Sequence, residues 1–226
     1  MRGLTRLQRQ LAKIVLAAAE PYGFALAGGA GLVAAGLSPR PTEDIDAFSA
    51  SVSDVRPAAE AVMAALAEEG FAVERLRSGQ HFVRLMVTTG IERRRRQVKI
   101  ELGRDYFEWA PITSTLGAVL SHRELATNKV LALFSRVAPR DLCDVATLSD
   151  QDDLEQMLVD AKTKDPGFSR PIMAEMIRRI ATTDPEDWPP AVDVDAVRDF
   201  GERLAEALEA GKPVDGLAPN APVWPE

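Results

Sequence analysis

Residues 28–48, GGAGLVAAGLSPRPTEDIDAF, place a glycine pair ahead of two aspartates that a single isoleucine separates. GFALA, just before this stretch, is typical of a short strand. AGLVAAGL within it predicts a short helix, SPRPT a proline-stiffened loop, and DIDAF a second strand. One interpretation is a metal-dependent phosphate site, because glycine lets the backbone approach a phosphate and carboxylates hold divalent cations. The other interpretation is a turn followed by a solvated strand edge.

Alternation in the predicted strands favours the metal site. In a strand, Asp44 and Asp46 share one face while Ile45 points to the core. In VKIEL, residues 98–102, the apolar positions likewise leave Lys99 and Glu101 on the other face. Adjacent carboxylates repel unless a cation lies between them, and carboxylate oxygens suit Mg²⁺ or Mn²⁺. The predicted metal ligands are therefore Asp44, Asp46 and Glu101.

Composition restricts the class of protein. The 226 residues are 46% hydrophobic and 27% charged, which is typical of a globular chain. No apolar run reaches membrane-spanning length and the N-terminus lacks a signal-peptide layout, so we expect a cytoplasmic protein. The single cysteine, Cys143, is predicted to be buried. The formal charge of -7 argues against a protein that coats nucleic acid, although residues 71–104 hold nine Lys/Arg against three Asp/Glu.

Helical and strand patterns cover most of the chain. Helices are predicted at 4–20 and, after a cap-like Ser53, up to Gly70. Strands are predicted at 71–77, 81–89 and 97–102, the last two joined by a solvated hairpin loop. From Ser121 onward the pattern predicts helices only, at 122–136, 140–149, 151–163, 170–181 and 193–210. The fold class is α+β, with an α/β lobe over 1–112 that holds a small mixed sheet, a helical lobe over 113–210, and an extended tail, docked or disordered, over 211–226.

The first stretch resembles the opening motif of the AbiEii-type nucleotidyltransferases, including the mycobacterial MenT toxins, in the DNA polymerase β-like superfamily. The pattern is a strand, Gly-Gly, a small helix, an arginine, Thr/Ser-x-Asp-hydrophobic-Asp and an aromatic. The matching residues are Gly28, Gly29, Arg40, Thr42, Asp44, Asp46 and Phe48. Ala30 stands where many relatives carry Thr or Ser. The resemblance implies a polymerase β-like lobe in which Gly28, Gly29, Arg40 and Thr42 bind the nucleotide.

A second block, residues 124–148, resembles the helical motif of the same family through Lys129, Arg136, Arg140, Asp141 and Asp144. Lys129 and Arg136 are about two helical turns apart, so both can face a cleft. The resemblance implies that Lys129 and Arg136 bind the nucleotide phosphates and that Asp144 orients Lys129 or the acceptor. The implied catalytic set is Asp44, Asp46, Glu101, Lys129 and Asp144. Alternatively, Arg140 and Asp141 form a surface pair that joins two helices.

The resemblance implies transfer of a nucleoside monophosphate from an NTP (ATP, CTP, GTP or UTP) with release of pyrophosphate. The mycobacterial relatives imply the tRNA 3′ end as acceptor and a toxin with a cognate antitoxin. Arg93, Arg94, Arg95 and Arg96, with Arg75, Arg77 and Arg84, are candidates for RNA binding, the alternative being a solvated loop. Two other hypotheses stay open: transfer to a protein hydroxyl or a small molecule such as an aminoglycoside, and an inactive transferase fold that serves as antitoxin or scaffold.

Overall fold

The computed structural model describes residues 3–90 and 96–224. The chain divides into two compact units, residues 1–122 and 123–226. The described residues form a seven-stranded mixed sheet and eight α-helices, which agrees with the predicted mixture of strands and helices. The division falls after the predicted boundary at residue 112, because two short strands between residues 112 and 119 belong to the sheet.

The first unit is built on the sheet, whose strand order is β3-β4-β5-β2-β1-β7-β6. Two strand pairs, β2 with β5 and β1 with β7, are parallel, and the other pairs are antiparallel. One sheet face is apolar and the other carries polar side chains, as alternation requires. The strands are β1 Ala25–Ala27, β2 Asp44–Ser49, β3 Ala72–Ser78, β4 Phe82–Thr89, β5 Arg96–Arg104, β6 Ile112–Ser114 and β7 Gly117–Val119.

Three helices belong to this unit: α1 Arg6–Ala19, α2 Gly28–Ala34 and α3 Arg56–Glu68. Thr5 and Gln8 form a capping box that satisfies orphan amides at the start of α1. Apolar residues of α1 and α3 join those of β2, β4 and β5 in one buried core. This core fixes the strands at the apolar sheet face, so their alternate side chains must point to the other face.

Three details of the first unit differ from the sequence prediction. The short helix predicted over AGLVAAGL begins two residues earlier, because Gly28 and Gly29 are the first residues of α2. Ser53 does not cap α3, which begins at Arg56 after Val55; the first amide of the helix, that of Arg56, instead donates to Oδ1 of Asp54 over 2.9 Å. The strands β6 and β7 are absent from the prediction, because each has three residues and shows no measurable alternation.

The second unit contains the five predicted helices, with ends shifted by a few residues. They are α4 His122–Ser135, α5 Pro139–Ser149, α6 Leu154–Lys164, α7 Arg170–Ala181 and α8 Val194–Glu209. Cys143 is buried in α5, as predicted. The tail is docked as far as residue 224: Val214 and Val223 are buried, and Trp224 Nε1 donates to Thr147 Oγ1 over 2.8 Å. Among the described residues, no helix has the length and apolarity needed to cross a membrane.

Candidate functional site

A row of polar side chains crosses the sheet on the face opposite the apolar core. Asp46 of β2 lies opposite Glu101 of β5 in the parallel register, and Glu101 lies opposite Arg84 of β4. Asp44 belongs to the next row, opposite Lys99. Directly opposed residues of neighbouring strands have side chains on the same face. The structure therefore brings the three predicted carboxylates to one face of the sheet.

Gly28 lies directly against the carboxylate of Asp46. Its φ of 57° is in the left-handed region, and a Cβ at this position would lie 2.0 Å from Oδ2 of Asp46. Ala27 is the register partner of Asp46 across β1 and β2, which explains the close approach. Only glycine combines this backbone conformation with this contact. The glycine in the sequence is thus required by the position of the aspartate.

Gly29 makes the equivalent approach to the loop before β2. A Cβ on Gly29 would lie 2.8 Å from Nη2 of Arg40 and 2.9 Å from Oγ1 of Thr42. Arg40 is largely buried, with Nη1 donating to the carbonyl of Pro41 over 3.2 Å. The side chain of Gln8 donates to the carbonyl of Thr42, so helix α1 anchors the loop. The glycine pair, Arg40 and Thr42 consequently form one group beside Asp46.

Two basic side chains neutralise the acidic row, and sequence reasoning assigned neither this role. The Nζ atom of Lys99 lies 2.9 Å from Asp44 and 3.7 Å from Glu101. The Nε atom of Arg84 lies 2.8 Å from Glu101. Cations within this distance relieve the repulsion between neighbouring carboxylates. The alternation that placed Asp44 and Glu101 on one face of the sheet placed Lys99 on the same face. This alternation was the sequence signal from which the pairing of Lys99 with the carboxylates could have been predicted.

The donor set suits magnesium in part. Within residues 3–90 and 96–224, no three His, Cys, Asp or Glu side chains are grouped closely enough to hold a metal ion. The three-carboxylate metal site therefore stays a prediction. Mg²⁺ commonly binds through one or two carboxylates together with substrate phosphates. Asp44 and Asp46, on one face and beside the glycine pair, fit that smaller requirement.

In the second unit, Lys129 of α4 lies between two buried carboxylates of α5. Its Nζ atom is 2.6 Å from Asp144 and 3.5 Å from Asp141, and the side chains of both aspartates are 0% exposed. Arg136 binds Asp141 through two contacts of 2.6 and 3.0 Å. A buried carboxylate is stable only with a charged or hydrogen-bonding partner. Lys129, Arg136, Asp141 and Asp144 are thus brought together as one cluster.

The alternative for Arg140 and Asp141 is wrong with respect to Asp141. This residue is fully buried and contacts Lys129 and Arg136, whereas Arg140 is exposed. A surface pair would leave the aspartate hydrated. The burial of Asp141 instead follows from its position in the first turn of α5, where it faces α4.

A second buried ion pair in this unit was not predicted from the sequence. Lys164, at the end of α6, contacts Glu124 of α4, and its Nζ atom lies 2.6 Å from Oδ1 of Asn128. The side chain of Glu124 is completely buried. The partners are far apart in sequence, so no local pattern connects them. On the same two helices, Arg123 binds Asp160 through contacts of 2.6 and 2.7 Å.

The basic residues proposed for RNA binding fall into different places. Arg93, Arg94 and Arg95 lie outside the described residues, and Arg96 is exposed at the start of β5. Arg75 lies 2.5 Å from Glu60 of α3, on the helix side of the sheet. In contrast, Arg77 lies opposite Arg84, on the face that carries the carboxylates. The arginines of β3 therefore do not form one patch.

Comparison with solved structures supports the fold. JHP933 from Helicobacter pylori superposes with a TM-score of 0.60 at 15% identity, covering 92% of this chain and 94% of that one. A second H. pylori protein, provisionally described as a nucleotidyltransferase, gives 0.61 at 17% identity and covers 92% and 97%. At such identities the likeness concerns the fold. A search of curated proteins finds no match.

A family model provides the assignment. The model described as "Nucleotidyl transferase AbiEii toxin, Type IV TA system" matches residues 9–211, which include the glycine pair, the acidic row and the Lys129 cluster. The resemblance inferred from the two sequence blocks is therefore confirmed, and the chain belongs to the AbiEii nucleotidyl transferase toxin family.

Proposed function

We propose that this protein is a metal-dependent nucleotidyltransferase that moves a nucleoside monophosphate from an NTP to the 3′ end of tRNA. In this proposal it acts in the cytoplasm as the toxin of a type IV toxin–antitoxin pair, and a cognate antitoxin neutralises it. The observation that carries the proposal is the arrangement around Asp46, which has the glycine pair on its β1 side and Glu101 on its β5 side.

The nucleotide occupies the β1 side of Asp46. Gly28 and Gly29 carry no side chains there, so a phosphate can approach the backbone amides closely. Arg40 and Thr42 border Gly29 and supply a guanidinium group and a hydroxyl. A guanidinium is suited to a phosphate because it donates several hydrogen bonds in one plane. These four residues recognise the phosphates and leave base selection to other contacts.

Asp44 and Asp46 would hold the metal ion that accompanies the nucleotide. Such an ion would supply neutralisation of the phosphate charge and activation of the attacking hydroxyl. The acceptor oxygen forms a bond to the α-phosphorus, the bond from that phosphorus to the bridging oxygen breaks, pyrophosphate leaves, and the hydroxyl proton is released. Glu101 stands opposite Asp46 and would join the site as a third carboxylate beside the two metal ligands.

The Lys129 cluster contributes to phosphate binding. Lys129 and Arg136 supply two cations, and both contact Asp141 while Lys129 also contacts Asp144. A lysine held by two carboxylates has a fixed position, and this limits the entropy lost when a phosphate binds. Asp144 is a positioning residue for Lys129. We expect Lys129→Ala to weaken NTP binding more than it weakens metal binding.

Transfer of label tests the proposal directly. The protein is incubated with Mg²⁺, total tRNA and each of the four α-labelled NTPs, and the products are separated by size. We expect label on tRNA with at least one nucleotide, and none with Asp46→Asn or with EDTA. The variant must keep the wild-type melting temperature, because a carboxylate on the polar sheet face contributes little to stability. Absence of label on tRNA with all four nucleotides would reject the tRNA acceptor.

The same assay separates the acceptor from the chemistry. Label on protein, or on an aminoglycoside added in place of tRNA, would keep nucleotidyl transfer and change the acceptor. Absence of both transfer and Mg²⁺-dependent NTP binding would indicate an inactive transferase fold.

A further inference from the structure

A second polar group lies on the carboxylate face of the sheet, next to the acidic row and away from the glycine pair. It consists of Arg77, Phe82 and Arg84, which we call the arginine–phenylalanine platform. The guanidinium carbons of Arg77 and Arg84 each lie 5.4 Å from the centre of the Phe82 ring. This distance is within the range of a cation–π interaction. Both guanidinium groups therefore lie over the same ring.

The platform is accessible from solvent. Arg77 is exposed, the side chain of Arg84 is 38% exposed, and Phe82 is half-buried. Arg77 forms no ion pair within residues 3–90 and 96–224. An aromatic ring and a guanidinium plane are both surfaces on which an unpaired nucleobase stacks, and a spare arginine can neutralise a backbone phosphate. The chemistry matches a single-stranded nucleic acid.

The order of the strands places the platform on the acceptor side. From the glycine pair, the strands follow as β1, β2 with Asp46, β5 with Glu101, and β4 with Arg84. Neighbouring strands are about 4.8 Å apart, so Arg84 stands about 10 Å from the Asp46 strand. In phosphoryl transfer, the attacking and leaving oxygens lie on opposite sides of phosphorus. If the nucleotide phosphates lie at Gly28, the acceptor enters from the β4 side.

Arg84 connects the two groups. Its Nε atom lies 2.8 Å from Oε1 of Glu101, while its guanidinium lies over Phe82. On the next row of the sheet, Gly103 leaves the space that the Phe48 ring occupies, because a Cβ there would lie 2.8 Å from the ring. The aromatic surface thus continues from Phe82 toward the strand that carries Asp46.

We propose that the arginine–phenylalanine platform binds a single-stranded RNA acceptor by stacking an unpaired base and contacting a backbone phosphate. The proposal rests on the function given above, because that function makes the bound RNA the acceptor of the nucleotide. The binding of RNA itself does not depend on catalysis. Arg77 neutralises the phosphate. Phe82 and the guanidinium plane of Arg84 carry the base.

Fluorescence anisotropy with a labelled single-stranded RNA oligonucleotide, in the absence of NTP, tests the proposal. We expect Phe82→Leu to weaken RNA binding about 5- to 150-fold, which is the usual effect of removing an aromatic side chain on which one base stacks. Phe82→Tyr keeps the ring and should keep the affinity. Arg77→Gln should make the plot of the log of the RNA association constant against log salt concentration less steep, by about 0.7. Arg75→Gln removes one positive charge from the same strand, but on the face that carries the helices. It should change neither the RNA affinity nor its dependence on salt.

Several outcomes would overturn the proposal. They are undetectable binding by the wild-type protein, equal binding by the Phe82→Leu variant with an unchanged melting temperature, or equal affinity for a duplex of the same sequence. Displacement of the RNA by ATP, with the same loss of ATP binding in Phe82→Leu, would assign the platform to the NTP base instead. Binding of poly-glutamate with the same dependence on Phe82 would assign it to an acidic protein.

The outcome is independent of the proposed reaction. RNA binding that depends on Phe82 supports the platform even if no label is transferred to tRNA. Transfer to tRNA that is accompanied by Phe82-independent binding supports the reaction and rejects the platform.

Discussion

Replacing Gly28 with alanine separates the function of the glycine pair from its effect on folding. The new Cβ would lie 2.0 Å from Oδ2 of Asp46, and an ordinary contact begins at 3.4 Å. The backbone of Asp46 is held between β1 and β5, so its carboxylate must rotate away. A suitable control is Gly36→Ala, just after α2, because Gly36 has a φ of 79° and its Cβ would meet nothing within 4 Å.

The two substitutions share one cost and differ in another. Each places alanine in the left-handed region, which destabilises the protein by about 1 kcal/mol. For a chain of this length, this corresponds to a fall in melting temperature of about 2–4 °C. Only Gly28→Ala also displaces the Asp46 carboxylate, and a misplacement of about 1 Å can reduce a rate about 100-fold. We expect both variants to fold and only Gly28→Ala to lose activity.

The measurement is the initial rate of label transfer from an α-labelled NTP, together with the melting temperature of each variant. Similar rates for Gly28→Ala and wild type would refute the functional contact between Gly28 and Asp46. Equal losses in Gly28→Ala and Gly36→Ala would show that backbone strain alone reduces the rate.

Three further predictions follow from the charged contacts. Lys129→Met should lower the free energy of unfolding, measured in urea, by about 3 kcal/mol, because two buried carboxylates lose a cation. The double variant Lys129→Met with Asp144→Leu should recover part of that loss of stability. A Lys129→Met variant as stable as the wild type would contradict the buried ion pair. Burial raises the pKa of Asp160, but hydrogen bonds chiefly from Arg123 outweigh it and hold that pKa below its ordinary value. The stabilisation that results is present above the ordinary pKa of an aspartate and is lost as the pH falls through the lowered pKa of Asp160. Asp160→Asn should therefore narrow the difference in the free energy of unfolding between neutral pH and about pH 3. An unchanged difference would argue against this contribution. Lys99→Met should lower the melting temperature measured in EDTA, because Asp44 and Glu101 lose the cation that neutralises them. For the same reason the variant should bind Mn²⁺ more tightly in titration calorimetry. Weaker Mn²⁺ binding would contradict this reasoning.

The acidic row was predictable from sequence because strand alternation is strict. Ile45 and Ile100 had to face the core, and their neighbours Asp44, Asp46 and Glu101 therefore had to share the opposite face. Helices α5, α7 and α8 of the second unit were predictable for a related reason, since their apolar residues recur at helical spacing.

The arginines of β3 show where alternation fails. Arg75 and Arg77 are two residues apart, so a regular strand would place both on one face. An irregularity in the pairing of β3 with β4 between these residues reverses the parity, and the two side chains point to opposite faces. The contact of Lys164 with Glu124 was not predictable either, because it depends on the packing of helices that are distant in sequence.

The central claim is that the carboxylate face of the sheet supports transfer of a nucleoside monophosphate. It is tested most directly by parallel reactions with tRNA and the same NTP, labelled on the α-phosphate in one and on the γ-phosphate in the other. The account predicts that the α label joins the tRNA and the γ label appears in pyrophosphate, with both products absent for Asp46→Asn. The γ label on the acceptor, or equal α-label transfer by Asp46→Asn, would contradict it.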